Sequence, residues 1–378
     1  VTTAPRICVR YECVPMRFIK HVYKIHTYAQ DGRLFEGKTP VSAFLNSSYD
    51  GSFIAGLMEL RYIQSLPVER IINYFESHGF TLKKPTAHKL MEKASSLFEN
   101  LYKCIRQTAL SDPYKAADET YYKILVPEKN SKGKGVRKGY LWVVVGINTR
   151  MIYLLYDDGS RSEKVILNEL GGCKGIIQSD GYSPYRKLES DAYPHITRIP
   201  CLQHIKRKFI DCGEDDPDAK RIVEMINTLY QNEHKHKIGV DGWTVEQNLV
   251  HRKKYAPDIL GEIKDVLDDI EERGDLLPKS ELKEAITYLR NEWNAVVDIF
   301  NYGDTYLDNN IVERMNRYIS LSRKNSLFFG SHKGAERGAI LYTIALTCRM
   351  NKVNLFEYLT DVINRTAEWQ PNTPLEKY

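Results

Sequence analysis

The chain has 378 residues, of which 42% are hydrophobic and 27% charged, with a formal net charge of +5. That is too long for one small core and suits two or three domains of a soluble globular protein; the most apolar run, Tyr140–Ile147, is strand-sized and excludes a membrane-spanning helix. Seven scattered cysteines (Cys8, Cys13, Cys104, Cys173, Cys201, Cys212, Cys348) fit reduced thiols in a cytosolic setting, and the mild positive charge permits a nucleic-acid partner without demanding one.

No secretory signal is visible, and the chain opens on Val1 rather than methionine, as a fragment of a longer protein would. Residues 1–50 read as β-like. Within them "RICVRYECVPMRFIKHVYKIHTY" alternates apolar and basic residues, as a basic-faced strand pair would, and "AQDGRLFEGKTP" is turn-rich. Residues 51–112 turn helical. "LPVERIINYFESHG" has Pro67 near a helix start and Gly79 just past its end. In "FTLKKPTAHKLMEKASSLFENLYKCI", Leu90, Ala94, Leu97 and Leu101 recur at helical spacing. A short helix, a glycine turn and a second helix fit a helix-turn-helix whose DNA contacts would include Lys84 and Lys89; any three-helix bundle has the same pattern.

From about residue 113 the period changes. "DETYYKILV", "YLWVVVGIN" and "MIYLLYD" read as strands, the last two joined as a hairpin, with a basic loop, "KNSKGKGVRKG", after the first. A helix near Val165–Leu170 leads to the strand "GIIQSDGY", and "HITRIPCLQHIKRKFI" reads as a strand running into a basic helix. This is a mixed α/β unit over 113–330, carrying an amphipathic helical insertion at about 212–300. A C-terminal helical region, 331–378, follows "KNSLFFGSHKG".

Acids at the edges of the α/β unit are the candidate chemistry. Asp180 closes a strand, where open α/β sheets bind ligands. Asp118 lies at the start of another strand and would have to neighbour Asp180. Glu313, in "LDNNIVERMNRYISLSRKN", would come from a helix packed over the sheet. Three such carboxylates suit hard divalent ions, and two Mg2+ ions about 3.5–4 Å apart serve phosphoryl transfer. Each acid also has a bland reading. Strand-end aspartates are commonly turn formers, and Glu313 could complete a capping box with Asn310 while pairing with Arg317 on the helix surface. Cations surround the acids: Lys206, Arg207 and Lys208 in one helix, and Arg314, Arg323 and Lys324 near Glu313. They are candidate phosphate contacts. His204 and Asn325 are candidate supporting or phosphate contacts. Lys129, Lys132, Lys134, Arg137 and Lys138 read as a solvated basic loop. No nucleotide-binding glycine loop occurs, and Cys8 and Cys13 have no second pair to complete a zinc site.

Taken together, "ADET", "QSDGYSPY", "CLQHIKRKF", "DNNIVERMNRYISLSRKNSLFFGS" and "GAERGAILYTIALTCRMN", in this order, resemble the DDE transposases of the insertion-sequence-sixty-six family, and the likeness runs on to "NLFEYLTDVINR". The resemblance implies an RNase H-like catalytic domain with a helical insertion, and Asp118, Asp180 and Glu313 as catalytic, Mg2+-binding acids, with Mn2+ able to substitute. It implies double-stranded DNA partners, namely the terminal inverted repeats of an element and its target. It further implies at least a homodimer on DNA, accessory proteins of the element, and a bacterial cytoplasmic, nucleoid-associated location. Family members carry a zinc ribbon before a helix-turn-helix; here "KIHTYAQDG" stands where the second cysteine pair belongs, so residues 1–50 read as a degenerate ribbon without zinc. The rivals are a catalytically silent, end-binding or repressing remnant of a transposase, and an RNase H-like nuclease without strand joining.

Overall fold

A computed structural model describes residues 10, 16–38, 40–44, 47–129, 133, 135–213 and 215–368. Cys8, Cys13, Lys132 and Lys134 lie outside the described residues, as does most of the first half of the alternating stretch. The chain forms two compact units, one of residues 1–94 with 356–372 and one of residues 95–355 with 373–378.

In the first unit a hairpin joins β1 (Thr27–Gln30) to β2 (Arg33–Glu36). Its turn is Asp31-Gly32, both at positive φ (50° and 73°), which matches the twist of two paired strands. The strand pair thus falls later than the alternating pattern suggests; residues 16–26 carry no strand. Three helices follow: α1 (Gly51–Tyr62), α2 (Val68–Ser77) and α3 (Lys84–Leu97). Asp50 caps α1 by accepting the Phe53 N–H at 3.2 Å. Gly79, at φ +81°, makes the turn after α2. Phe18, Phe53, Phe75 and Phe80 cluster beneath them, with Phe18 4.7 Å from Phe80 and 4.9 Å from Phe75 between ring centroids. The apolar stripe from Leu90 to Leu101 does not make one helix. The chain breaks at buried Phe98, and α4 (Glu99–Ser111) starts afresh in the second unit. Helix α13 (Leu355–Glu368) belongs largely to the first unit, where Asn364 lies against Gly51.

The second unit is built on a five-stranded mixed sheet: β3 (Tyr114–Leu125), β4 (Val136–Gly146), β5 (Met151–Leu155), β6 (Gly175–Ser179) and β7 (Ile196–Pro200). Strand order is β5-β4-β3-β6-β7. The β3-β4-β5 side is antiparallel, and β6 and β7 run parallel to β3. Helix α5 (Glu163–Leu170) makes the crossover into β6, and α6 (Ser183–Arg186) follows β6. The free edge of β5 is covered by α12 (His332–Met350): Leu154 and Ile152 donate their N–H groups to the Thr343 and Thr347 hydroxyls at 2.9 and 3.2 Å. The expected mixed α/β core flanked by helices is present, with β3 beginning four residues before Asp118.

After β7 come α7 (Leu202–Ile210), then α8 (Pro217–Glu233), α9 (Val245–Glu272) and α10 (Glu281–Ile299) of the insertion. Their core, including Ile222, Ile226, Leu260, Ile286 and Leu289, is continuous with Ile199, Leu202 and Ile205 at the sheet. Arg198 of β7 and Glu292 of α10 form an ion pair that is fully buried. Helix α11 (Asn310–Asn325) then returns across the sheet.

Candidate active site

Strand β3 pairs with β6 only over its first three residues, Tyr114↔Ile176 through Ala116↔Gln178. Two residues further on stand Asp118, in β3, and Asp180, just past the end of β6, so the register sets the two acids side by side. Beyond that point β6 has ended, and the backbone groups of β3 on this edge need other partners. Helix α11 and its flanks supply them. The Asn309 side chain donates to the Ala117 carbonyl at 3.0 Å, Arg323 donates to the Tyr121 carbonyl, and Phe329 exchanges backbone hydrogen bonds with Lys123 and Leu125 at 2.8 and 2.9 Å. The Glu119 N–H is taken by the Asp118 carboxylate at 2.8 Å.

The same helix delivers polar side chains to the acids. Asn309, Glu313 and Asn316 are spaced by four and three residues and share one helix face. Asn316 donates to Asp118 Oδ2 at 2.5 Å. Burial first, then the neighbouring charges of Glu119 and Asp180, push the Asp118 carboxyl up to about 7. Glu119 points to the other side of β3, where Arg161 holds it at 2.9 Å, and burial followed by Asp180 also raises it. On that side the buried ring of Tyr185 feels the charges of Asp118, Glu119 and Asp180 together. The turn after Asp180 is held from the insertion: Tyr288 of α10 accepts the Gly181 N–H at 2.8 Å, and Arg198 donates to the Asp180 carbonyl at 3.2 Å.

Glu313 is neither a capping-box partner of Asn310 nor an ion-pair partner of Arg317. Helix α11 starts at Asn310, its N-cap is Asn309, and Asn309 makes no side-chain capping bond. The Glu313 carboxylate faces inward, 3.8 Å from His204 Nδ1 of α7. Cys201, the N-cap of α7, adds its sulfur. Among the described residues, Cys201, His204 and Glu313 are the one trio of metal-ligand side chains whose ligand atoms all lie within 4.8 Å of one another. Asp118, Asp180 and Glu313 do not close to that spacing.

The site fits a cation. Glu313 Oε1, His204 Nδ1, Asn316 Oδ1 and Asn309 Oδ1 are buried without a protein hydrogen-bond partner, which a bound water or cation would satisfy.

The cations of the sequence reading divide. Arg207, Lys208, Arg314 and Lys324 are exposed, as is Asn325 at the end of α11. Lys206 and Lys208 lean over the rings of Tyr230 and Tyr288 at 6.0 and 5.9 Å. Lys84 pairs with Glu69 at 2.6 Å, while Lys89 is exposed. Arg323 is engaged by the β3 carbonyl and lies 3.9 Å from the Tyr121 ring. It ends a ladder of alternating rings and cations, Tyr182, Arg161, Tyr140, Lys138, Tyr121 and Arg323, with cation-to-ring distances of 3.9–5.2 Å. Lys138 therefore belongs to an ordered surface rather than to the solvated loop expected of it. Sequence reasoning missed Asn316, Asn309, Glu119, Cys201 and Arg161. The first two carry a legible signal, their spacing from Glu313; the other three are placed by packing alone.

Residues 46–337 match the transposase IS66 family. The chain belongs to that family. The matched span begins before α1, ends within α12 and includes β3, β6, α7 and α11. Among similar proteins are three uncharacterized proteins of Sinorhizobium fredii. The protein y4jD is 26% identical over 82% of this chain and 61% of its own length. The protein y4qI is 26% identical over 97% and 69%, and y4hP is 24% identical over 94% and 67%. This IS66-family chain thus spans about six- to seven-tenths of the length of these relatives. None of its described helices is long and apolar enough to cross a membrane.

Proposed function

We propose that this chain is a DNA transposase of a bacterial insertion sequence, cutting phosphodiester bonds at the element ends and joining the freed 3′ ends to target DNA. The observation that carries the reading is the register that brings Asp118 and Asp180 level, with Asn316 of α11 donating to Asp118 and Glu313 one helical turn before it. The strand order, three antiparallel strands followed by two parallel ones, supports an RNase H-like core. Asp118 and Asp180 would hold one divalent ion and Glu313 a second, Mg2+ being the expected metal and Mn2+ a substitute. When bound, such ions activate the attacking oxygen and stabilise the leaving one. The residues around them orient: Asn316 fixes the Asp118 carboxylate, and Tyr288 and Arg198 fix the Asp180 turn. Asn316→Ala should cost about 10–100-fold in cleavage rate or metal affinity, as loss of such orienting partners does, with the unfolding midpoint in urea nearly unchanged.

The exposed cations suit the DNA backbone. Arg207→Ala should weaken duplex binding to a similar extent for every sequence and lower the slope of log K against log salt by about one, measured by anisotropy at several salt concentrations. The helices α2 and α3, with Lys89 exposed at the start of α3, are the proposed helix-turn-helix contact to DNA. Work in the bacterial cytoplasm as at least a homodimer on two element ends, with accessory proteins of the element, belongs to the same reading. So does the division into segments 1–50, 51–112, 113–330 and 331–378.

The test is strand cleavage of an element-end duplex with Mg2+ or Mn2+. The transposase nicks it at the element boundary. A silent remnant binds the duplex and leaves it intact with either metal.

A further inference from the structure

Helix α7 begins on Cys201, and His204 lies in its first turn, three residues on and on the same face. Both residues lie on the side that α11 approaches. The Leu202 N–H donates to the Leu307 carbonyl at 2.9 Å, and the Asn309 N–H reaches the Cys201 sulfur at 3.2 Å, so the two segments are locked together around the sulfur. A backbone N–H aimed at sulfur suits a metal-bound thiolate, whose negative charge it stabilises. Glu313 closes the group from α11. The facing atoms of His204 and Glu313 are 3.8 Å apart, too far for a hydrogen bond, and both are buried without a partner. Two ligands about 2.0–2.1 Å from one tetrahedral ion stand roughly 3.4 Å apart, so a small contraction suffices.

We propose that Cys201, His204 and Glu313 form a binding site for one thiophilic divalent ion of the Zn2+ and Co2+ class. Sulfur, imidazole and carboxylate together select such an ion over Mg2+, and three protein ligands leave one coordination position open. The Cys201 thiol gives its proton to solvent as the sulfur–metal bond forms, so no oxidant or reductant is needed. Binding by itself is independent of the transposase reading. Where that reading holds, Glu313 is common to both centres, and loading this site withdraws it from the hard-metal centre.

The test is Co2+ titration of the full chain in buffer with a non-thiol reductant, read as the near-ultraviolet sulfur-to-cobalt absorption band. The wild type should show the band at one ion per chain, lost on adding Zn2+ and retained in excess Mg2+. Cys201→Ser, nearly the same size, should abolish it, and Cys212→Ser and the Cys8→Ser, Cys13→Ser pair should keep it. His204→Ala should weaken Co2+ binding by at least about 10–100-fold, which keeps the test decisive should Cys201→Ser fail to fold. Absence of the band, or its loss only in the Cys8 and Cys13 variants, overturns the proposal. Cleavage with Mg2+ is followed in parallel. A band without cleavage sinks the transposase reading and leaves this site standing; cleavage without a band does the reverse.

Discussion

Asp118→Asn and Asp180→Asn should each bind an element-end duplex as the parent does and cut it at least about a thousandfold more slowly, equivalent to about 4 kcal/mol of barrier. The two acids stand level because β3 and β6 are parallel and in register up to Ala116↔Gln178. An amide in place of either carboxylate keeps the shape and removes the negative charge that a divalent ion needs. The fold should not suffer. Asp118 is buried beside like charges that hold its carboxyl up to about 7, so neutralising it relieves repulsion, and the folded protein should be no less stable in urea. Cleavage and stability thus move apart, which a purely structural aspartate would not do. Glu313→Gln should follow the same pattern. Single-turnover cleavage with Mg2+ and Mn2+ decides it; a variant within tenfold of the parent would remove that residue from the catalytic group.

Glu292→Ala should destabilise the chain by about 3–5 kcal/mol, the cost of leaving one partner of a buried ion pair alone. Arg198 is fully enclosed between Glu189 and Glu292 and also donates to the Asp180 carbonyl. Burial raises the affinity of Glu292 for a proton, and Arg198 works against this. Without Glu292 the guanidinium keeps only the half-exposed Glu189 as an anion. The insertion helix α10 then loosens from β7, and with it the Tyr288 contact to Gly181. Urea unfolding measures the effect as a lower midpoint at unchanged slope. Replacing both partners with apolar residues of similar volume, Arg198→Met with Glu292→Leu, should recover much of the loss. A single-variant loss below about 1 kcal/mol would mean that Glu189 and the Asp180 carbonyl suffice.

The strands and helices of the second unit were largely legible, because apolar alternation and helical spacing report which face of each local element is buried. Where the pattern misled, a local feature decided. The stripe from Leu90 to Leu101 reads as one helix, yet the helix is interrupted at Phe98, a residue fully buried between α3 and α4. Asn310 and Glu313 have capping-box spacing, yet the helix takes Asn309 as its cap and turns Glu313 toward α7. Capping chemistry and metal-ligand chemistry use the same residue types, so spacing cannot separate them.

The sequence by itself determined the element types, the helical insertion, the strand-end position of Asp180 and, through five ordered motifs, the family. Only the tertiary structure decided that Asp118 and Asp180 are neighbours in parallel register, that Asn316 grips an aspartate 198 residues away, and that Cys201 and His204 meet Glu313. It also decided that the insertion braces the site through Arg198 and Glu292. The physical reason is that periodicity and turn chemistry act over a few residues. These contacts depend on strand pairing and on the unpaired edge of β3, which must be satisfied by whatever chain segment packs there.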